Sequence, residues 1–385
     1  TTTTTTTTES TTATTTATTE PFRPPGVWPP VPQGDPAFCA EVSADDYTLD
    51  WQAAGTTFFD EWEFGEWDAN HGAAQYVSRE RAVAEKVVAA HETHALLRVG
   101  PRGDQFKRTS AKLKSKRSWK YFLAAARFTH VPVGCGLWPA FWTFAAGDFH
   151  WPAGGEFDIM EWANDVASQT SLHTAESNRC ELDGGQVNQL GCTVMPDTNG
   201  ANYNCLTAYP EHLGCAPNKL PLQSPADWNL RPVAFALEWT EDYIKVWIIP
   251  DEALPEDLVS DRPRPGQWDE WLVSYYPLRR SGTEKCPQPG NVLVAQHLML
   301  NIGLCGDWAG KIWAMSSTCN TLHGPASGCR VVDPLIEENA AADDCCTQFV
   351  WDGDQAYGAD DYFNRNGYFN ISWIKVFQRR QAWLR

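Results

Sequence analysis

The sequence predicts an all-β fold, a β-sandwich of two antiparallel sheets, on three observations. Apolar and polar residues alternate in segments such as Phe235–Thr240, Tyr243–Pro250 and Tyr368–Phe377, the period of half-buried strands. Turn formers are dense, 28 glycines and 26 prolines in 385 residues, so the elements between them are short. The chain also carries 19 tryptophans, large rigid rings that fill a sandwich core or form stacking surfaces.

Composition limits the function. The formal charge of −18, with no basic stripe to offset it, argues against a nucleic-acid partner. There are 12 cysteines, none in zinc-like C-x-x-C pairs, which points to an oxidised, extracellular chain. Cys345 and Cys346 are adjacent, so each is expected to pair elsewhere. No apolar run reaches about 18 residues, so no membrane span is expected. The chain starts without a signal peptide, as a mature or trimmed chain would, and is expected to be a monomer.

In chain order, residues 1–36 are rich in Thr and then Pro. Such a segment cannot bury apolar area and reads as a disordered, mucin-like linker, leaving residues 37–385 as one globular domain. That domain opens between Cys39 and Trp67, where Phe58, Phe59, Trp62 and Phe64 cluster. Asn70 and His71 fall in a turn beside Gly72 and are assigned no chemistry. Residues 80–100 could be read as a helix from Arg81 to His91, because the segment has good helix formers. His91-Glu92-Thr93-His94 lacks the H-E-x-x-H zinc spacing, and Arg102-Gly103-Asp104 reads as a solvent turn. The seven basic residues from Lys107 to Lys120 read as the solvated face of a strand, with Lys blunting an edge. Tyr121–Phe128 reads as a buried strand.

The acidic stretch follows, Gly154-Gly155-Glu156-Phe157-Asp158-Ile159-Met160-Glu161-Trp162-Ala163-Asn164. On a strand Glu156 and Asp158 share one face, Phe157 and Ile159 the other, and Glu161 has the wrong parity. One extra residue, a bulge at Ile159-Met160, would return Glu161 to the acidic face. Three crowded carboxyl groups repel, so at least one should retain a proton. One ionised and one protonated carboxyl group is the requirement of glycoside hydrolysis; the bland alternatives are a solvated acidic strand or part of a Ca²⁺ site.

Further on, His173 lies in a neighbouring strand about a dozen residues after Glu161. Cys180, Cys192, Cys205 and Cys215 suggest a disulfide-tied loop region over 176–227. Phe235–Pro250 reads as a hairpin whose Glu238 is structural, and 251–290 as Pro-rich loop. Asn370-Ile371-Ser372 is an N-glycosylation sequon compatible with secretion.

Glu156-x-Asp158-x-x-Glu161, preceded by Gly136-Leu137-Trp138-Pro139-Ala140-Phe141-Trp142, resembles the laminarinase branch of glycoside hydrolase family 16. Cys305-Gly306-Asp307-Trp308-Ala309-Gly310, after an apolar strand from His297, resembles it again. The resemblance implies a jelly roll of two bent antiparallel sheets with an open substrate cleft, and it favours strands over a helix in residues 80–100. It implies Glu156 as nucleophile, Asp158 as assisting acid and Glu161 as acid/base of an endo-acting, retaining β-glucanase. The substrate would be β-1,3-glucan or mixed β-1,3/1,4-glucan, and no cofactor serves the chemistry, although a structural Ca²⁺ is allowed. Trp138 and Trp308 would stack on sugars, Asp307 would shape its loop, His173 would face the cleft and Asn301 would bind a hydroxyl. Asn164 and Trp142 complete the candidate substrate-binding set, with Trp142 leaning towards core. A transglycosylase and a non-catalytic β-glucan-binding protein are the alternatives.

Overall fold

The computed structural model describes residues 46–166, 169–183, 202–207, 213–216, 225–334, 336–337, 342–356 and 362–379. The Thr/Pro-rich stretch 1–36 and both Cys39 and Cys192 lie outside them. The first strands are β1 (Tyr47–Ala54), β2 (Trp62–Gly65), β3 (Ala74–Tyr76), β4 (Val88–Ala90), β5 (Ala95–Arg98), β6 (Arg108–Ser110), β7 (Lys112–Trp119) and β8 (Leu123–His130). They continue as β9 (Leu137–Ala145), β10 (Glu156–Glu161), β11 (Gln169–His173), β12 (Val233–Trp239), β13 (Ile244–Pro250), β14 (Leu272–Tyr276), β15 (Gln296–Leu304) and β16 (Tyr368–Arg379).

Two sheets dominate. The front sheet runs β11-β10-β9-β15-β7-β2, and the back sheet runs β14-β13-β12-β8-β16-β5-β4, with β1 added on β16. All pairings within both are antiparallel. The strand alternation explains the core between them. Leu137, Phe141, Phe157, Leu298, Leu300, Ile302 and Leu113 point back from the front sheet, and Phe128, Phe235, Leu237, Val246, Ile374 and Val376 belong to the same buried cluster. Phe128 meets Phe141 across the interface at 6.4 Å and Phe235 of its own sheet at 6.0 Å, both edge-on. Each such ring contributes about 1.5–3 kcal/mol through burial, so this double layer is the main source of rigidity behind the front face.

A second apolar layer covers the outer side of the back sheet, where Trp247, Ile249 and Leu272 meet Leu258 and Trp268. The segment expected to be loop from 251 to 290 therefore folds back on the sheet. It also contributes the edge strand β14, which its prolines concealed. Glu238 is fully buried and accepts hydrogen bonds from Tyr47 Oη (2.9 Å) and Tyr243 Oη (3.0 Å), a structural role.

Two local expectations need correction. Residues 80–100 are neither all strand nor a helix to His91. Ser78 caps a short helix, Arg79–Ala84, by accepting from Arg81 N, and β4 and β5 follow. The basic stretch 107–120 is solvated only in part, at Lys116, Arg117 and Lys120, and it is not an edge. β7 is hydrogen-bonded by both β15 and β2, and Arg108 and Lys112 are buried, because aromatic rings cover them. Arg102 is likewise anchored, donating to Trp351 O at 2.6 Å.

Among the described residues five disulfides hold the loops: Cys135–Cys319, Cys180–Cys286, Cys205–Cys215, Cys305–Cys346 and Cys329–Cys345. The adjacent Cys345 and Cys346 thus take separate partners. No helix among the described residues is long and apolar enough to cross a membrane. Asn370 lies in β16, paired with both β5 and β8, so the sequon sits within a strand rather than a loop.

Candidate active site

The site grows from one irregularity in β10. Against β9, Glu156 opposes Phe144, Asp158 opposes Trp142, and then Met160 opposes Phe141 and Glu161 opposes Ala140. Ile159 has no partner, so the bulge falls where the spacing required it. Ile159 and Met160 are both buried in the core, and Glu161 regains the parity of Glu156 and Asp158. Phe157 N is tied to Thr143 Oγ1 at 3.0 Å on the core side.

Each acid has its own partners. Trp151 Nε1 donates to Glu156 Oε2 at 3.0 Å, and Trp138 Nε1 donates to Glu161 Oε1 at 2.8 Å. Asp158 is buried between them, accepting from Ser171 Oγ at 2.5 Å, with His173 Nε2 at 3.2 Å from the same oxygen. His173 Nδ1 in turn meets Thr207 Oγ1 at 3.1 Å. Ser171 and His173 come from β11, opposite Asp158 and Glu156 in register.

Burial, the nearby Asp158 charge and the Glu161 charge push Glu156 well above the ordinary carboxyl range, while the Trp151 hydrogen bond and Lys112 pull it back. Burial and Asp158 raise Glu161, with only the Trp138 hydrogen bond opposing them. Although each glutamate is only half-buried overall, both causes act in one direction. A cation therefore acts on Glu156 and none acts on Glu161.

Around the acids the front face is aromatic. Trp138 and Trp308 meet edge-on at 5.7 Å. Trp142 shares the face of Trp138 and Glu161, so it lines this surface rather than the core, and its Nε1 donates to Asn301 Oδ1 at 2.7 Å. Asn301 Nδ2 then donates to Tyr76 Oη at 3.3 Å. Trp151 is 40% exposed beside His173.

Asp307 ties the segment around Trp308 to residues 70 and 71. Its N–H donates to Asn70 O at 3.0 Å, and its Oδ2 lies 2.9 Å from His71 Nδ1. Burial raises its carboxyl, and His71 pulls it down. Asn164 is a correction: it is fully buried and cannot reach a substrate. With φ at 58°, a left-handed position that Asn tolerates, it accepts from Gly136 N (2.9 Å) and donates to Ala309 O (3.0 Å). It is a brace between β9 and the Trp308 loop.

Ser171, His71 and Lys112 are missing from the expected set. Antiparallel register would have pointed to Ser171, since it faces Asp158 two residues before His173. Lone turn and strand residues such as His71 and Lys112 carry no sequence signal. For a structural Ca²⁺, side chains converge in two clusters among the described residues, Glu156–Asp158–His173 and Cys305–Asp344–Cys346. The first is the acid cluster with an imidazole and the second has its sulfurs in a disulfide, so neither is the oxygen cage that Ca²⁺ takes.

A family model described as XgeA-like, catalytic GH16 domain, matches residues 62–377. The chain belongs to glycoside hydrolase family 16, and its sandwich is the jelly roll of that family. A "Probable glycosidase" of Schizosaccharomyces pombe is 30% identical, covering 72% of this chain and 63% of its own length. An endo-1,3(4)-β-glucanase of Arthroderma benhamiae is 27% identical over 89% of this chain and 67% of its own. The chain thus spans about two thirds of the length of these relatives. Among solved structures, laminarinase 16A of Phanerochaete chrysosporium, with β-glucans in donor and acceptor sites, covers 86% of this chain and 99% of its own at 26% identity and TM-score 0.64. An elongating family 16 β-1,3-glucosyltransferase covers 86% of this chain and 100% of its own at 27% identity and TM-score 0.66.

Proposed function

We propose that this protein is an endo-acting, retaining β-glucanase cutting β-1,3-glucan or mixed β-1,3/1,4-glucan outside the cell. Residues 37–385 act as the catalytic domain behind the 1–36 linker. The observation that carries the reading is the asymmetry of the two glutamates on one bulged strand. Each glutamate accepts one indole N–H and both are raised by burial and Asp158, but Lys112 pulls down Glu156 alone, so Glu156 is the one of the two that is favoured to carry the charge. It attacks the anomeric carbon. Glu161, raised with no cation to offset it, keeps its proton, delivers it to the leaving oxygen and later takes one from water. Asp158 is a positioning residue, held by Ser171 and His173, whose charge keeps the two glutamates from ionising together.

Trp138, Trp142 and Trp308 offer flat apolar rings to the sugar faces. The five disulfides suit an oxidising, extracellular setting. The printed activities of the relatives, endo-1,3(4)-β-glucanase and laminarinase, support the substrate class. The likeness to a glucosyltransferase favours a second reading, in which a sugar rather than water resolves the glycosyl-enzyme.

Hydrolysis of laminarin and of mixed-linkage glucan by the native protein and Glu156→Gln, with products resolved by length, tests both. Short oligosaccharides from the native protein and a loss of about 10³-fold or more in the variant are expected. Equal cutting by the variant overturns the nucleophile assignment. Products longer than an oligosaccharide substrate move the function to transglycosylation.

A further inference from the structure

Trp67 is 44% exposed, a large aromatic ring open to solvent, yet it is firmly held. It follows β2 at the edge of the front sheet, but its ring lies 5.9 Å from that of Phe144 on β9. The chain after β2 therefore folds back over the sheet. Lys112 Nζ sits 3.7 Å from the Trp67 ring centroid and 4.3 Å from that of Tyr76, and it donates to Trp67 O at 3.1 Å. Lys112 as a whole is only 2% exposed, so it serves the ring and not the solvent. Its partners stiffen the loop: Asp68 accepts from Asn70 N (3.1 Å) and Gly72 N (3.0 Å). Gly65 leaves the room, since a Cβ there would stand 3.2 Å from Trp67 Nε1.

The position has a meaning for the acids. Phe144 is the register partner of Glu156, whereas Ala140 is that of Glu161. Trp67 thus lies on the Glu156 flank of the bulged strand, and Trp138 with Trp308 lies on the Glu161 flank. An exposed indole with a cation on its ring and a Phe at its side keeps the rest of its surface open. Exposing that area costs stability unless something covers it in use. Phe144 links the two, as register partner of Glu156 and ring neighbour of Trp67, so the same chain that spans the acids would cover the indole.

We propose that Trp67, seated by Lys112, is a stacking plate for an additional glucosyl residue on the Glu156 side, making the protein selective for longer β-glucan chains. The proposal rests on the glucanase reading of the acids. Aromatic rings stack on the apolar faces of pyranose rings as they do on other flat apolar surfaces, and the adjacent cation fixes the ring's plane.

The test measures binding of short and long laminari-oligosaccharides by calorimetry in the Glu156→Gln background, with Trp67→Ala and Trp67→Phe added, alongside hydrolysis by the native protein and by Trp67→Ala. Thermal unfolding checks that each variant folds. Trp67→Ala is expected to lose about tenfold in affinity for the long oligosaccharide and to bind the short one as before, with Trp67→Phe retaining most of the affinity. In hydrolysis, Trp67→Ala should raise KM for the long substrate and leave kcat near native. Unchanged affinity for the long chain overturns the plate, and so does an equal loss for short and long. A native protein that cuts no β-glucan overturns the reading of the acids, whereas a native protein that cuts while Trp67→Ala shows no length dependence overturns the plate alone.

Discussion

The indole N–H of Trp138 donates to Glu161 Oε1 at 2.8 Å, which ties a ring on the front face to the carboxyl proposed as the acid. This bond stabilises the charged form and is the one contact that opposes the raised pKa of Glu161. Replacing Trp138 by Phe keeps a ring but removes the donor. The Glu161 carboxyl then rises further, so the alkaline limb of kcat/KM, where the acid loses its proton, moves to higher pH. The value at the optimum should fall by roughly tenfold. A pH profile of kcat/KM reads both effects, and an unmoved alkaline limb would separate Glu161 from the proton transfer.

The same electrostatics predicts a gain in stability on removing an acid. A carboxyl whose native pKa lies above its unfolded value contributes stability below the unfolded pKa and loses it as pH rises through the native one. Glu156 and Glu161 both have this sign, so at neutral pH the pair works against the fold. Glu161→Gln should therefore raise the melting temperature at neutral pH by about 2–6 °C, while a melt in mild acid shows a smaller difference. Activity should drop by about 10³-fold. A variant that melts lower at neutral pH would contradict the direction of the shift.

The acid triplet was legible from period-two alternation and its one break, because a bulge is the cheapest way to return Glu161 to its face, and Ile159 is the residue left unpaired. Hairpin β12–β13 and the closing strand β16 were legible for the same reason, a clean alternation. Lys112 was misread because charge in a sequence signals solvent, whereas Trp67 and Tyr76 bury it with partners that lie 45 and 36 positions away. Asn164 was misread because it sits beside the acids in sequence, yet its backbone turns left-handed and sends it inward. Contacts of this kind depend on how loops cross the sheet, and no local period encodes that crossing.

Asn164 should matter more for stability than its neutral chemistry suggests. It satisfies Gly136 N and Ala309 O in a fully buried place. Asn164→Ala leaves both groups unpaired and puts Ala at a positive φ. Together these cost about 2–4 kcal/mol, read as a lower denaturant midpoint with an unchanged m-value. Because the Ala309 end anchors the Trp308 loop, KM for glucan should rise more than kcat falls. A midpoint within experimental error of the native value would remove the brace.

Lys112 supplies the sharpest check on which glutamate does what. Burial lowers its ammonium to about 8, against the opposing pull of Asp68 and Glu156. Its folded pKa lies below its unfolded one, so the unfolded chain binds more protons between the two values. Stability should consequently rise with pH from about 8 towards the unfolded value near 10.5, and Lys112→Met should abolish that slope. The same substitution removes the one cation acting on Glu156 and so raises the pKa of that carboxyl. If Glu156 is the group that must be ionised, the acidic limb of kcat/KM moves to higher pH and activity at the acid end falls severalfold, about the effect of a modest change in charge stabilisation. The alkaline limb, governed by Glu161, should move less than it does in Trp138→Phe. The two substitutions acting on opposite limbs would fix the roles of the two glutamates independently of any loss-of-activity mutant, and a Lys112→Met profile shifted only on its alkaline side would reverse them.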